Sequence, residues 1–218
     1  DFCLSRGLGD VYKRQGWNTL VFDFANPVAR TVAAHGYASE ATALVSGVSY
    51  DKLSIFVDFG NGYAYDGAVV GKPPSGDVKY YVDDVKFVGV PPSQPVVFSG
   101  LDFEGAQAGY QVTGFEGATV ELAVGPDGGS NRVLQYTKAA NAKFYAGAVL
   151  GTKAGYLGDV IPLDLAAGKT AMSAKVWVAQ AGTVVRLQVA DSAAGDDAHY
   201  VEALSLIHIS EPTRQAEI

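Results

Sequence analysis

Alternation of apolar and polar residues at a spacing of two, in short runs broken by glycine and proline, constrains this chain more than any other feature. In GWNTLVFDFANP (residues 16–27), Leu20, Phe22 and Phe24 point one way and Val21 and Asp23 the other, and Asn26-Pro27 ends the run. YDKLSIFVDFG (residues 50–60) repeats the pattern, with Leu53, Ile55, Val57 and Phe59 on one face and Ser54, Phe56 and Asp58 on the other. Side chains of an extended strand alternate between the two faces of a sheet, so each run reads as a half-buried strand. Residues 79–88 read as a third strand. Beyond a Pro-rich break, further strands are expected over 96–103, 110–115, 118–124, 132–137, 143–150, 170–180 and 183–191, the last two joined around Gly182. The turn GPDGGSN (residues 125–131) carries an Asp-Gly-Gly that favours positive φ and joins two of them as a hairpin. Residues 28–49 and 61–77 read as loops, the first with a helical turn near 40–44. No stretch sustains a helical period of about ten residues, and many short strands with Gly-rich turns mean an all-β sandwich.

The two ends differ in style from the rest. DFCLSRGLGDVYKRQ (residues 1–15) and LSLIHISEPTRQAEI (residues 204–218) resemble the translation of sequencing-adapter DNA, so both are expected to be non-native tails, and Cys3, His208 and the apolar run 206–209 carry no functional weight. They hold four basic and four acidic residues between them, so the stretch from 16 to 203 keeps the whole net charge of −7. An acidic chain without Lys/Arg clusters argues against nucleic acid and against anionic membranes as partners. Without Cys3 there is no cysteine, and the Gly, Ala, Val, Tyr and Thr richness points to an extracellular, secreted or cell-surface protein.

The phrases WNTLVFDFANP, YDKLSIFVDFG and KYYVDDVKF, together with LDFEG, GGSNRVLQYTK, FYAGAVLG and KVWVAQAGTVVRLQVAD, resemble the jelly-roll, galactose-binding-like carbohydrate-binding modules of bacterial secreted glycoside hydrolases, laminarinase-type β-glucanases in particular. The resemblance covers residues 16–203. In that family the segment 96–203 comes first and 16–88 second, so the halves stand in swapped order here. Residues 16–90 correspond to the C-terminal half of one module, 91–95 to a linker and 96–203 to the N-terminal half of the next. The expected architecture is therefore one jelly-roll β-sandwich with its halves circularly permuted. The resemblance implies a non-catalytic module that targets a secreted glycoside hydrolase to a β-glucan-like polysaccharide, with neighbouring repeats and a catalytic domain in the parent chain. The alternative is a structural or adhesive sandwich that spaces a catalytic domain from a cell surface.

The resemblance also implies a structural calcium where first and last strands meet, with Asp83, Asp84, Asp102 and Glu104 as candidate ligands. Calcium takes about six to eight oxygens, which carboxylates and carbonyls from two strands supply. Strict alternation puts Val85 and Phe87 on the face of Tyr81 and Asp83, so one carboxylate is expected to point inward, where it is costly unless it meets a metal, a backbone amide or a lysine. Sugar recognition needs aromatic faces for pyranose rings and planar polar groups for hydroxyls. The candidates are Trp177, Tyr145, Tyr63 and Tyr65, with Arg186, Gln188, Asp58 and Asp23 as polar partners on outward strand faces. Trp177 shares a face with Lys175, opposite Val176 and Val178, and is the best exposed platform; Trp17, opening a strand whose large residues face the core, reads as structural. No nucleophile-elbow, zinc-helix or phosphate-loop motif is present, and His35 and His199 stand alone in polar surroundings. Carboxylate pairs such as Glu116/Glu121 and Asp196/Asp197 exist, but sequence spacing does not place them across a cleft.

Overall fold

The computed structural model describes residues 15–25, 30–32, 37–39, 44, 48, 50, 52–88, 101–104, 110–152, 170–180, 182–191 and 200–207. Among these, all regular structure is β, in antiparallel sheets. The strands are β1 (Gly16–Asp23), β2 (Arg30–Val32), β3 (Tyr37–Ser39), β4 (Lys52–Val57), β5 (Gly62–Tyr63), β6 (Val69–Val70), β7 (Val78–Phe87), β8 (Tyr110–Phe115), β9 (Ala118–Val124), β10 (Arg132–Lys138), β11 (Gly147–Thr152), β12 (Ala171–Val178), β13 (Val184–Ala190) and β14 (Tyr200–Leu206). Two five-stranded sheets make the sandwich, one in the order β1-β12-β7-β10-β9 and the other in the order β14-β13-β4-β11-β8.

The inner faces are the apolar sets that alternation picks out. Leu20 and Phe22 of β1, Val82 of β7, Leu134 and Tyr136 of β10, and Val176 and Val178 of β12 meet Leu53, Ile55 and Val57 of β4, Ala148 and Leu150 of β11, and Leu187 and Val189 of β13 in one buried cluster. Burial of this apolar surface is the main driving force holding the sheets together. Residues before 91 and after 95 therefore share a single core. In each sheet a strand from before the break lies inside strands from after it: β7 between β12 and β10, and β4 between β13 and β11. Without those partners each would expose two unpaired edges, which is unfavourable in water.

Several local expectations need correction. Within 28–49 the chain forms the short antiparallel pair β2/β3, and within 61–77 the pair β5/β6. The helical turn placed near 40–44 lies outside the described residues except for Leu44, as do the histidines His35 and His199 and the carboxylates Asp196 and Asp197. The strand expected over 143–150 begins only at Gly147; Lys143–Ala146 is a turn closed by Ala146 N donating to Lys143 O. Of the strand expected over 96–103, the described part is Leu101, which bridges Val85, followed by Asp102 and Phe103 outside any strand, with Phe103 at φ of 57°.

The boundary drawn at 203/204 falls inside β14. Leu204, Ser205 and Leu206 continue the ladder with Arg186, Val185 and Val184. Ile207 is 0% exposed and belongs to the core, and its backbone bonds to Thr183 and Gly182 tie it to the start of β13. Ile207→Val should therefore cost about 0.5–1.5 kcal/mol, the usual effect of deleting one buried methylene, read from a urea titration. An unchanged midpoint would mean that the segment is not docked.

A corner between the sheets depends on glycine. β8 and β9 lie in different sheets and are joined by only Glu116 and Gly117, with φ of 56° and 95°. A Cβ on Gly117 would stand 2.6 Å from Ala142 Cα, so both backbone conformation and space call for glycine.

Candidate functional site

Strict alternation fails in β7, and the failure shapes the outer face of the first sheet. The β7–β12 register slips between Ser173 and Lys175, and Asp84 has φ of 48°, so β7 carries a bulge at Asp84–Val85, the two residues that stand opposite Ala174. Val82 and Val85 both reach the core, while Asp83 stands opposite Lys175 on the side of Tyr81. The expectation that Val85 shares a face with Tyr81 and Asp83 is thus corrected. Aspartate suits the site because its short side chain tolerates positive φ and bonds nearby amides. Asp83 is 7% exposed, yet it does not face the core: its Oδ1 accepts from Asp84 N at 2.8 Å and its Oδ2 from Asn131 Nδ2 at 3.3 Å. Burial raises its carboxyl above the ordinary value, and the bonds from Asn131 and Asp84 N oppose this.

The four expected calcium ligands do not form one donor set. Asp84 pairs with Lys175 Nζ; Asp102 Oδ1 accepts from Tyr110 Oη at 3.0 Å and Glu104 N at 3.2 Å; Glu104 Oε1 accepts from Arg132 N at 3.1 Å. Among the described residues no three His, Cys, Asp or Glu side chains gather as a metal shell would require.

The same outer face carries an aromatic row that only the sheet order reveals. Trp17 on β1 lies opposite Trp177 on β12, Trp177 opposite Tyr81 on β7, Tyr81 opposite Gln135 on β10, and Gln135 opposite Glu121 on β9. The three aromatics are half-buried. Tyr81 and Trp177 meet edge to face, with centroids 5.5 Å apart and planes at 78°. At the polar end, Gln135 Nε2 donates to Glu121 Oε1 at 2.6 Å and Lys79 Nζ donates to Gln135 Oε1 at 3.3 Å. The 125–131 turn folds back over this face: Asn131 reaches Asp83, and Trp17 Nε1 donates to Asp127 Oδ2. Trp17 is thus part of the face, on the side of exposed Thr19 and Val21, and not of the core. Its spacing of four from Val21 carried that signal; Tyr81, Gln135 and Glu121 needed the register.

The other sequence candidates lie elsewhere. Arg186 is 7% exposed, its guanidinium 3.8 Å from the Phe56 ring centroid and 4.0 Å from that of Phe59, paired with Glu202 through Nη1 and Oε1 at 2.7 Å. It does not stand on an accessible strand face. Its pKa is lowered by burial, with Glu202 opposing. Gln188 Nε2 donates to the same Glu202 oxygen at 3.1 Å. Phe56, Phe59, Ala64, Val70 and Phe144 form a second apolar cluster, against which Phe115, Tyr145 and Leu204 pack. The cluster includes residues of the 58–72 segment, which therefore acts as a cover over Phe56 on β4 and Arg186. Tyr145 packs its ring 4.8 Å from Phe144 and 5.4 Å from Tyr65. Tyr65 is 71% exposed and its hydroxyl donates to Glu116 Oε1 at 3.4 Å; Tyr63 is half-buried in β5, its backbone bonded to Ala142 and Phe144. Asp23 Oδ1 accepts from Ala25 N at 2.9 Å and so closes the end of β1.

Asp58 lines a cleft of about 540 Å3 with Asn61, Lys72, Tyr80, Gln180 and Thr183 among its walls. Asp58 is itself buried at φ of 59°, accepting from Asn61 Nδ2 at 2.6 Å and from the Tyr80 hydroxyl. Lys138, 0% exposed, donates to the Asp58 carbonyl at 2.6 Å and lies 3.8 Å from its carboxylate. Burial raises Asp58 above the ordinary carboxyl value against the pull of Lys138, and lowers Lys138 to about 8 against the pull of Asp58. With its oxygens so engaged, Asp58 anchors the 58–61 turn from below. Family models, curated protein sequences and solved structures yield no match to this chain.

Proposed function

We propose that this chain is a non-catalytic carbohydrate-binding module, a permuted jelly roll that attaches a secreted glycoside hydrolase to β-glucan-like polysaccharide. The observation that carries the reading is the row Trp17–Trp177–Tyr81 with Gln135 and Glu121 at its end. Half-exposed aromatic rings beside planar amide and carboxylate groups offer what a sugar needs: apolar faces for its C–H surfaces and acceptors and donors for its hydroxyls. Tyr65 and Tyr145 form a smaller aromatic spot above the other sheet, subordinate because Tyr145 is largely engaged in packing against Phe144. A structural calcium would have to displace the hydrogen bonds of Asp83, Asp102 and Glu104. A melt repeated with chelator reads it, a lowered midpoint placing a metal there.

Affinity gels cast with β-glucan, chitin or algal polysaccharide test the binding role. Retardation on a β-glucan gel is expected, and Trp177→Ala should weaken it by about 30-fold, or ~2 kcal/mol, the loss typical of a central aromatic contact. Retardation on none of the gels would favour the spacer reading.

A further inference from the structure

We infer that residues 101–207 form an acceptor for strands that a second copy of this chain can supply, so that two copies exchange their 16–88 segments and close as an intertwined dimer. The strand pairing carries this. Each main-sheet strand before position 89 pairs only with strands beyond position 100: β1 with β12, β7 with β12 and β10, and β4 with β13 and β11. Among the described residues, segment 16–88 pairs with itself only in the small ladders β2/β3 and β5/β6. The part beyond position 100 differs, because β9 with β10, β8 with β11 and β13 with β14 already make three ladders of its own. What it lacks is a strand between β12 and β10 in one sheet and between β13 and β11 in the other. An acceptor with a gap in each sheet takes its donor by strand addition, whichever chain the donor belongs to.

Polar contacts between the segments specify that donor. Lys138 of β10, fully enclosed, donates to the Asp58 carbonyl and faces the Asp58 carboxylate. A strand with no acceptor there would leave the ammonium unpaired in the core, which is costly. Nearer the surface, Asn131 donates to Asp83, Lys79 to Gln135, Lys143 Nζ to the Ala64 carbonyl at 2.9 Å and Ala140 N to Asp77 Oδ1 at 3.1 Å. Segment 16–88 meets all of these, so the fitting occupant is a second copy of this chain and not an unrelated strand.

The link between the segments decides when exchange occurs. Val85 N donates to Leu101 O at 3.0 Å and Leu101 N to Val85 O at 2.8 Å in an antiparallel bridge, so in a closed single chain residues 89–100 must reverse direction. That stretch carries Pro91, Pro92 and Pro95, which restrict their own and the preceding residues toward extended backbone. Sheet and core contacts are the same in both arrangements, so the link and the concentration alone separate them. A short flexible link holds its ends at an effective concentration on the order of 1 mM, and a stiffer one that must turn back holds them at less.

Two exposed residues that face each other across the segments read the arrangement directly. Thr19 on β1 lies opposite Lys175 on β12, and directly opposed antiparallel residues have Cα atoms about 4.5–5.5 Å apart, within disulfide range. The full chain carrying Thr19→Cys and Lys175→Cys, with Cys3→Ser, is unfolded in urea with reductant, refolded at about 10 µM and at about 1 mM, oxidised and run on a non-reducing denaturing gel. At the low concentration the bond is expected within one chain. At the high one most of the protein should run as a covalent dimer. Thr119→Cys with Thr137→Cys, opposed on β9 and β10 and both beyond position 100, should give only self-linked single chains at either concentration, although gel filtration at the higher shows a dimer. Single-chain bonds at both concentrations in the first variant would overturn the exchange. So would covalent dimers in both variants alike, which would mean association through surfaces other than the two gaps.

Discussion

Replacing Lys138 with methionine is expected to destabilise the fold by about 1–3 kcal/mol, because it takes away the enclosed donor to the Asp58 carbonyl and leaves the Asp58 carboxylate short of a partner. Lys138 is fully enclosed, donates to the Asp58 carbonyl and faces the Asp58 carboxylate. With methionine there, Asp58 keeps Asn61 and the Tyr80 hydroxyl as donors and loses its only described cation. Asp58→Asn in the methionine background should recover part of the loss, since asparagine tolerates the φ of 59° and carries no charge to strand. The pH dependence gives an independent reading. Lys138 falls from the ordinary 10.5 to about 8 in the fold, so between those values the unfolded chain binds the proton more readily, and stability rises with pH from about 8. Tyr80 and Tyr136 act in the opposite sense: both are raised above 10, chiefly by burial, so above pH 10 the unfolded chain releases protons that the fold retains, and stability falls. Urea titrations from pH 7 to 11 should show a maximum near pH 10 in the wild type. In Lys138→Met the rising limb should be missing; its persistence would assign it to another group.

The strands were legible because their alternation is local, and one row of their contacts was not, because it is a property of distant pairings. Leu20, Phe22, Leu53 and Ile55 announce their inward faces within a few residues, and Lys175 between Ala174 and Val176 places Trp177 outward. Nothing near Trp177 in sequence indicates that Trp17 and Tyr81 flank it, since those neighbours come from strands more than ninety residues away. The bulge at Asp84–Val85 defeats a period-two reading because one extra residue moves every later side chain to the other face. Arg186 and Asp58 look like outward polar residues by the same alternation, and by direction Arg186 is. It is buried because the second cluster lies over it, with Phe56 and Phe59 against its guanidinium, and a Gly- and Pro-rich segment gives no sign that it will serve as a cover. Ile207 reads as part of a tail for a related reason: it lies in a stretch unlike the rest, although three residues of that stretch, Leu204, Ser205 and Leu206, complete an edge strand.

That covered arginine makes the second large effect measurable. Glu202→Leu should cost about 3–5 kcal/mol, since it leaves Arg186 charged and enclosed between Phe56 and Phe59 with its carboxylate gone. Arg186→Met alone should cost a comparable amount by stranding Glu202, which is 5% exposed and would keep only Gln188 as a described side-chain donor. The double variant should not cost the sum. Taking two charges out of water is expensive, and this pair is incompletely satisfied: Arg186 Nε and Glu202 Oε2 have no hydrogen-bond partner among the described residues. Apolar side chains of similar volume between the phenylalanines and Leu204 avoid both penalties, so the double variant should lie within about 1 kcal/mol of the wild type. The difference between the summed single losses and the double loss, from urea titrations of all four proteins, is the coupling of the pair. A coupling of several kcal/mol marks Arg186 and Glu202 as a buried pair held for packing beneath the 58–72 cover. Additive losses would mean that each side chain meets water or another partner, and that the cover is open.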